Sequence, residues 1–205
     1  MVHESKVFLT GYNASSLVVD RLCDWARGQD AAVACFYFDF AAQKEQSPTS
    51  VLSSLMKQVA GGLKEIPISI NWALVEEKMA WGRKLVLGQI LDILQVILSS
   101  QPTFLCIDAL DECAAEHRAN LLDLLKQIVH SSPSTRIFLS GRLHIRDEVE
   151  KALAGRVVAV SVRPTMEDIV RFLREKLKED TTPDAMDKSL EEDIIEDILE
   201  TVPEM

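Results

Sequence analysis

Five short apolar runs alternate with stretches of helical spacing, and this alternation constrains the fold more than any other feature of the chain. The runs are Lys6–Thr10 (KVFLT), Ala32–Phe40 (AVACFYFDF), Thr103–Asp108 (TFLCID), Arg136–Ser140 (RIFLS) and Val157–Val162 (VVAVSV). Strands that are apolar without alternation have no face to offer water. They are found in parallel sheets covered on both sides by helices. The helices predicted between them are Ala14–Gly28, a helix opened by Ser47-Pro48 and closed by Gly61-Gly62, Leu85–Leu98, Glu116–His130 and a short one near Ile145–Leu153. The expectation is an α/β fold, with a mainly parallel sheet of about five strands and helices on both faces. Leu85–Leu98 is apolar almost all round its wheel, which predicts burial on more than one side. Residues 63–83 hold Trp72 and Trp81 without a clean period, and read as a loop with one short helix.

The last forty residues change character. Thr165-x-x-Asp168 and Ser189-x-x-Glu192 both have the form of capping boxes opening amphipathic helices. Of the 32 acids and 22 bases in the chain, residues 165–205 hold 14 and 5. The expected division is a core over residues 1–163 and a helical segment over 164–205. The net charge of −10 argues against a nucleic-acid partner, because phosphate contacts need a basic field.

The N-terminus lacks the apolar stretch of a secretory signal, so no secreted ligand is expected. The longest apolar run, Ala31–Phe38, falls far short of the ~20 residues of a membrane helix, so no membrane partner is expected either. Cys23, Cys35, Cys106 and Cys113 lie in or beside apolar runs, have no C-x-x-C spacing, and fit a reducing, cytoplasmic setting as small buried hydrophobes.

Chemistry concentrates in Phe104–Glu112 (FLCIDALDE). The carboxyl ends of strands in an open α/β sheet face the ligand crevice. Asp108, at such an end, can organise Mg²⁺ through water. Asp111 or Glu112, just beyond it, can polarise an attacking water. The competing reading is that these acids cap the helix beginning near Glu116. Arg142, two residues past the RIFLS strand, can reach a γ-phosphate from a neighbouring strand, or can be a surface ion-pair residue.

The junction after the first strand is informative for what it omits. Strand, Thr10-Gly11 and helix occupy the place of a phosphate-binding loop, G-x-x-x-x-G-K-[ST]. Counted from Gly11, the Gly, Lys and Ser/Thr fall on Ser16, Leu17 and Val18, and no lysine stands between Lys6 and Lys44. The four histidines share no spacing with one another or with a nucleophile.

The ordered set FYFDF…SPTSVLSSLMKQV, FLCIDALDEC, RIFLSGR, VRPTMEDIVRFLREKL and IIEDILETVPEM resembles the NACHT-type ATPase domain of fungal STAND proteins. It is similar in particular to the nephrocystin-like N-terminal domain found ahead of ankyrin or WD repeats. The resemblance spans roughly residues 7–205. It implies a P-loop NTPase fold used as a nucleotide-controlled switch in signalling or non-self recognition, with ATP or ADP and Mg as cofactors. It casts Asp108 as the magnesium residue and Asp111 and Glu112 as catalytic acids. Arg142 becomes the arginine of a sensor-like S-R-P segment whose flanks are here Gly141 and Leu143. Gly11 becomes the first glycine of the phosphate loop. Family members read L-T-G followed by a loop ending in G-K-[ST]; this chain reads LTGYNASSLVVDRL, as if a short deletion had removed the loop. Both ends look clipped against the family pattern.

Three readings follow. The first is a degenerate or truncated switch domain, impaired in ATP binding and acting through protein partners or self-association. The second is an active ATP-dependent switch. The third is a non-enzymatic helical adaptor whose acidic tail binds a basic partner. Losing the loop removes several amide contacts and a charged one, at ~1.5–3 kcal/mol for each charged hydrogen bond, which favours the first.

Overall fold

The computed structural model describes residues 6–10, 14–63, 70, 85–153, 157–161, 165–178 and 188–201. The predicted loop over 63–83 lies almost entirely outside them, as do Gly11, Trp72 and Trp81. The chain forms two compact units, Met1–Ser161 and Val162–Met205, taken here separately.

In the first unit the elements run β1 (Lys6–Thr10), α1 (Ala14–Arg27), β2 (Ala32–Tyr37), α2 (Pro48–Gly61), α3 (Leu87–Ser100), β3 (Thr103–Asp108), α4 (Ala115–Ser131), β4 (Thr135–Ser140), α5 (Arg146–Ala152) and β5 (Val157–Ser161). All strand pairs are parallel, in the order β2-β3-β4-β1-β5. The predicted sheet is therefore present, with its parallel sense and helices on both faces.

Strand periodicity divides the core. Ala32, Ala34, Leu105, Ile107, Ile137 and Leu139 turn to one face and pack with Leu52, Leu55, Leu94, Leu121 and Leu125 of α2, α3 and α4. Cys106 and Phe138 turn to the other and pack with Val19, Val18, Leu22 and Cys23 of α1, beside Val33 and Cys35. There Trp25 meets Phe104 edge-to-face at 5.3 Å. The helix predicted to be buried on more than one side buries one broad face, Ile90, Ile93, Leu94, Ile97 and Leu98. Val96 on its back is 42% exposed. Its apolar residues outnumber the places the core offers, so the surplus faces solvent.

Local chemistry sets the boundaries. Ser47 caps α2, its hydroxyl accepting from the Ser50 amide at 3.3 Å, and Pro48 takes the first turn, where a missing N–H costs nothing. β2 stops at Tyr37 rather than Phe40, because the Asp39 carboxylate accepts the Ala41 amide at 2.9 Å and turns the chain into the 3₁₀ segment Phe40–Ala42. β2 is an edge strand, and one side chain covers the outward backbone groups of its Cys35. Gln58 of α2 accepts from the Cys35 amide at 2.9 Å and donates to the Cys35 carbonyl at 2.7 Å.

The second unit holds α6 (Met166–Lys178) and α7 (Lys188–Thr201). The first capping box forms. The Thr165 hydroxyl accepts from the Asp168 amide at 3.2 Å, and Asp168 Oδ2 accepts from the Thr165 amide at 3.1 Å. The second is displaced, since α7 begins at Lys188 and takes Ser189 into the helix. No helix among the described residues is long and apolar enough to cross a membrane.

Candidate functional site

Register brings the strand ends to one edge. Tyr37 pairs with Asp108, Ile107 with Leu139, and Leu9 with Ser140, so the carboxyl ends of β2, β3, β4 and β1 are level. At this edge Ser140, 5% exposed, donates its hydroxyl hydrogen to Asp108 Oδ1. The same hydroxyl oxygen accepts from the Ala109 amide at 3.1 Å. Asp108 is thereby fixed at the crevice by a neighbouring strand, with its second oxygen left to other partners.

The turn after Asp108 is unusual. Ala109 adopts φ 53°, the left-handed region that a residue with a Cβ avoids at a cost of about 1–2 kcal/mol. That kink folds the 3₁₀ segment Leu110–Glu112 back along the edge, with Leu110 fully buried. Asp111 and Glu112 are consequently held by protein groups. Asp111 Oδ1 accepts from the Arg142 amide at 3.1 Å, and its Oδ2 lies 3.3 Å from Arg142 Nε, with the Asp111 side chain 6% exposed. Glu112 Oε2 accepts from the Phe40 amide at 3.0 Å, and its carbonyl accepts from Gln43 Nε2 at 2.8 Å. Each acid thus fastens the β3 turn to a neighbouring loop, Asp111 to that after β4 and Glu112 to that after β2. The helix-capping alternative is not what they do: α4 begins at Ala115 with no side-chain cap.

Gly141 explains its own place beside Arg142. A Cβ there would lie 2.8 Å from Ile145 Cδ1 and 3.3 Å from Asp111 Oδ1, so a serine would crowd the carboxylate that Arg142 holds. Arg118 of α4 finishes the turn from below. It donates to the Cys113 carbonyl at 3.0 Å and pairs with Glu148 of α5 at 2.8 Å. Burial pushes the Cys113 thiol up to about 11, so it stays protonated and inert.

At the β1–α1 junction, only three residues separate Thr10 from Ala14. Gly11 is one of them and lies outside the described residues. Ser16, Leu17 and Val18, which occupy the Gly-Lys-Ser/Thr places, lie within α1; Leu17 is 61% exposed and Val18 packs beneath the helix. Leu17, at the sequence position of the lysine, carries no charge to offer a phosphate.

Mg²⁺ is normally held by one or two carboxylates completed by water and substrate phosphates. Asp108 with Ser140 meets the protein half of that requirement, and among the described residues no set of three or more His, Cys, Asp or Glu is arranged to hold an ion alone. Magnesium therefore fits this edge only together with the phosphates that bring it.

The family model described as Nephrocystin 3, N-terminal, matches residues 13–142, well over half the chain. The chain belongs to the nephrocystin-3 N-terminal domain family. The matched span begins just after Gly11, so β1 and the start of the junction fall outside it, while α1 through Arg142 fall within. Among curated proteins, none matches the chain.

Solved structures of similar fold include Drosophila ORC bound to DNA, at 14% identity and TM-score 0.57, covering 85% of this chain and 42% of that one. The Aeropyrum pernix ORC1 protein in complex with DNA follows at 18% identity and 0.53, covering 85% and 44%. Cdc6p from Pyrobaculum aerophilum is similar at 12% identity and 0.52, covering 84% and 43%. The chain spans less than half the length of each. The fold is that of the P-loop ATPases, as the resemblance implied.

One expectation is corrected. The net charge argues against a nucleic-acid partner, yet two proteins of this fold were solved on DNA. Whole-chain charge is the wrong quantity, because phosphates respond to the local field. Here the acidity is gathered in residues 165–205, and the remainder is nearly neutral, with 18 acids and 17 bases.

Ser140, Ala109, Gly141 and Arg118 were not singled out from the sequence. For Ser140 a signal existed: it is the polar end of an apolar strand, the same criterion that drew attention to Asp108.

Proposed function

We propose that this chain is a NACHT-type switch domain with degraded nucleotide handling, which binds Mg-ATP or Mg-ADP weakly and acts in signalling through protein interaction. The observation that carries the reading is the contrast along one sheet edge. The β3–β4 side is fully assembled, with Asp108 held by Ser140 and Asp111 by Arg142. The β1–α1 side has three residues and no lysine in place of a loop that should wrap a phosphate in backbone amides.

In this reading Asp108 retains the place of the magnesium residue. Asp111, Glu112 and Arg142 act as positioning residues that keep the edge in shape. Phosphoryl transfer depends almost wholly on positioning and charge neutralisation, so acids without a held triphosphate give negligible hydrolysis. Loss of the lysine and of several amide contacts removes several kcal/mol, about 1.5–3 kcal/mol for each charge-assisted bond, which is several orders of magnitude in affinity.

The test is a gain of function. An insertion after Asn13 that completes Gly11-x-x-x-x-Gly-Lys-Ser should raise Mg-ATP affinity at least a hundredfold. The rise should be lost again on Asp108→Ala. Unchanged affinity in a folded insertion variant contradicts the proposal, because the loop would then not be the missing element.

A further inference from the structure

Beneath α1, on the sheet face away from the larger core, three of the four cysteines gather. Cys35 on β2 and Cys106 on β3 are direct register partners on adjacent parallel strands. Both turn toward α1, where Cys106, Val19 and Phe138 form a small core with Cys35 and Cys23 packed against it. The pair is asymmetric in access. Cys106 is 2% exposed, whereas Cys35 is only partly buried, on the edge strand. Gln58 pins the Cys35 backbone from both sides, so the strand carrying the outer thiol is fixed in place. Among the described residues no cluster of this kind is arranged to hold a metal ion, which leaves thiol chemistry.

We propose that Cys35 and Cys106 form a peroxide-reactive dithiol, in which Cys35 is oxidised first and Cys106 resolves it to an intramolecular disulfide. The order of events follows from access: the partly exposed Cys35 sulfur on the edge strand meets the oxidant first, and the buried Cys106 sulfur, its register partner on β3, stands behind it to resolve the product. Cys23 is held protonated, chiefly by burial and then by the nearby charge of Cys35 and Asp20. Cys113 packs in the core on the opposite face, remote from this pair.

The oxidant is hydrogen peroxide. The Cys35 thiolate attacks one peroxide oxygen, the O–O bond breaks, and the departing hydroxide takes a proton to leave as water. Cys35 is then a sulfenic acid. The Cys106 sulfur attacks the Cys35 sulfur and expels its hydroxyl group, which leaves with the Cys106 proton as a second water. Two thiols are oxidised by two electrons, and the peroxide is reduced to two waters. An external dithiol reverses the change by exchange. Cys106 lies two residues before Asp108, so the disulfide would tie β2 to β3 directly below the polar strand ends.

The test uses the reduced full chain, exposed to a small excess of hydrogen peroxide, alkylated with iodoacetamide and mapped by mass spectrometry without reduction. The expected result is loss of two of the four thiols, one Cys35–Cys106 cross-linked peptide, and full recovery with dithiothreitol. Cys106→Ser should stop at the sulfenic acid, trapped by dimedone on Cys35. A Cys23–Cys35 link, or dimedone on Cys23 or Cys113 with Cys35 untouched, in protein with a native circular dichroism spectrum, overturns the assignment. The wild-type linkage map decides alone should Cys106→Ser fail to fold.

Discussion

Asp111 and Arg142 join the loops after β3 and β4 through two separate contacts on one carboxylate. The Arg142 backbone amide donates to Oδ1 at 3.1 Å, and its guanidinium Nε stands 3.3 Å from Oδ2. The two residues are unequally buried, with side chains 6% and 60% exposed. Their substitutions should therefore cost different amounts. Arg142→Ala removes a mostly solvated ion-pair partner, worth about 0–1 kcal/mol. Asp111→Ala strips the acceptor from a backbone amide and empties a buried polar site, at about 1–3 kcal/mol. Urea unfolding of the two variants should show the larger loss for Asp111→Ala. Equal losses would mean that the guanidinium, not the amide, carries the connection.

Gln58 offers a second test. Its side-chain amide occupies the outward backbone groups of Cys35 on the edge strand. Gln58→Ala should lower stability by about 1–2 kcal/mol for two modest hydrogen bonds. It should also raise the tendency to associate through the bared edge. Light scattering at matched concentration checks the second effect. A variant as monodisperse as the parent would show that the edge needs no cover.

In the helical unit the Thr165 hydroxyl and backbone amide hold the Asp168 carboxyl below its ordinary value of 3.8, with Arg171 adding to the effect. A carboxyl whose folded pKa is depressed contributes stability above its unfolded pKa and loses it as pH falls through the folded one. The capping contribution at α6 should thus persist at neutral pH and fade below the usual aspartate range. Carbon-detected NMR titration should place Asp168 below 3.8. Thr165→Ala should move it upward. An unchanged midpoint would show that the box is not what holds it.

Leu94 of α3 is fully buried in the larger core. Leu94→Ala should cost about 2–5 kcal/mol through lost burial and a cavity. Thermal denaturation is the check, and an unchanged midpoint would contradict the packing described for α3.

The strands and most helices were legible because their signals are local. TFLCID and RIFLS announce buried strands by composition, and Ser47-Pro48 announces a helix start by side-chain chemistry. β2 was read three residues too long because a run of aromatics outweighed Asp39, whose carboxylate turns the chain. What stayed hidden depends on strand order. Alternation predicts a parallel sheet but not β2-β3-β4-β1-β5, and that order is what sets Ser140 beside Asp108 and Arg142 beside Asp111. The left-handed Ala109 was hidden too, since alanine has no preference for that conformation and the turn is held by tertiary contacts, among them the buried Leu110 and the Ser140 hydroxyl on the Ala109 amide. Net charge misled because it sums over a tail that has its own fold unit.

The central claim is that an intact β3–β4 edge cannot hold nucleotide without the loop that β1 and α1 lack. Isothermal titration of this chain with ATP and with ADP, in magnesium, measures it directly. The account predicts millimolar or undetectable binding, unaffected by Asp108→Ala. Low-micromolar dissociation constants that weaken on Asp108→Ala would contradict it.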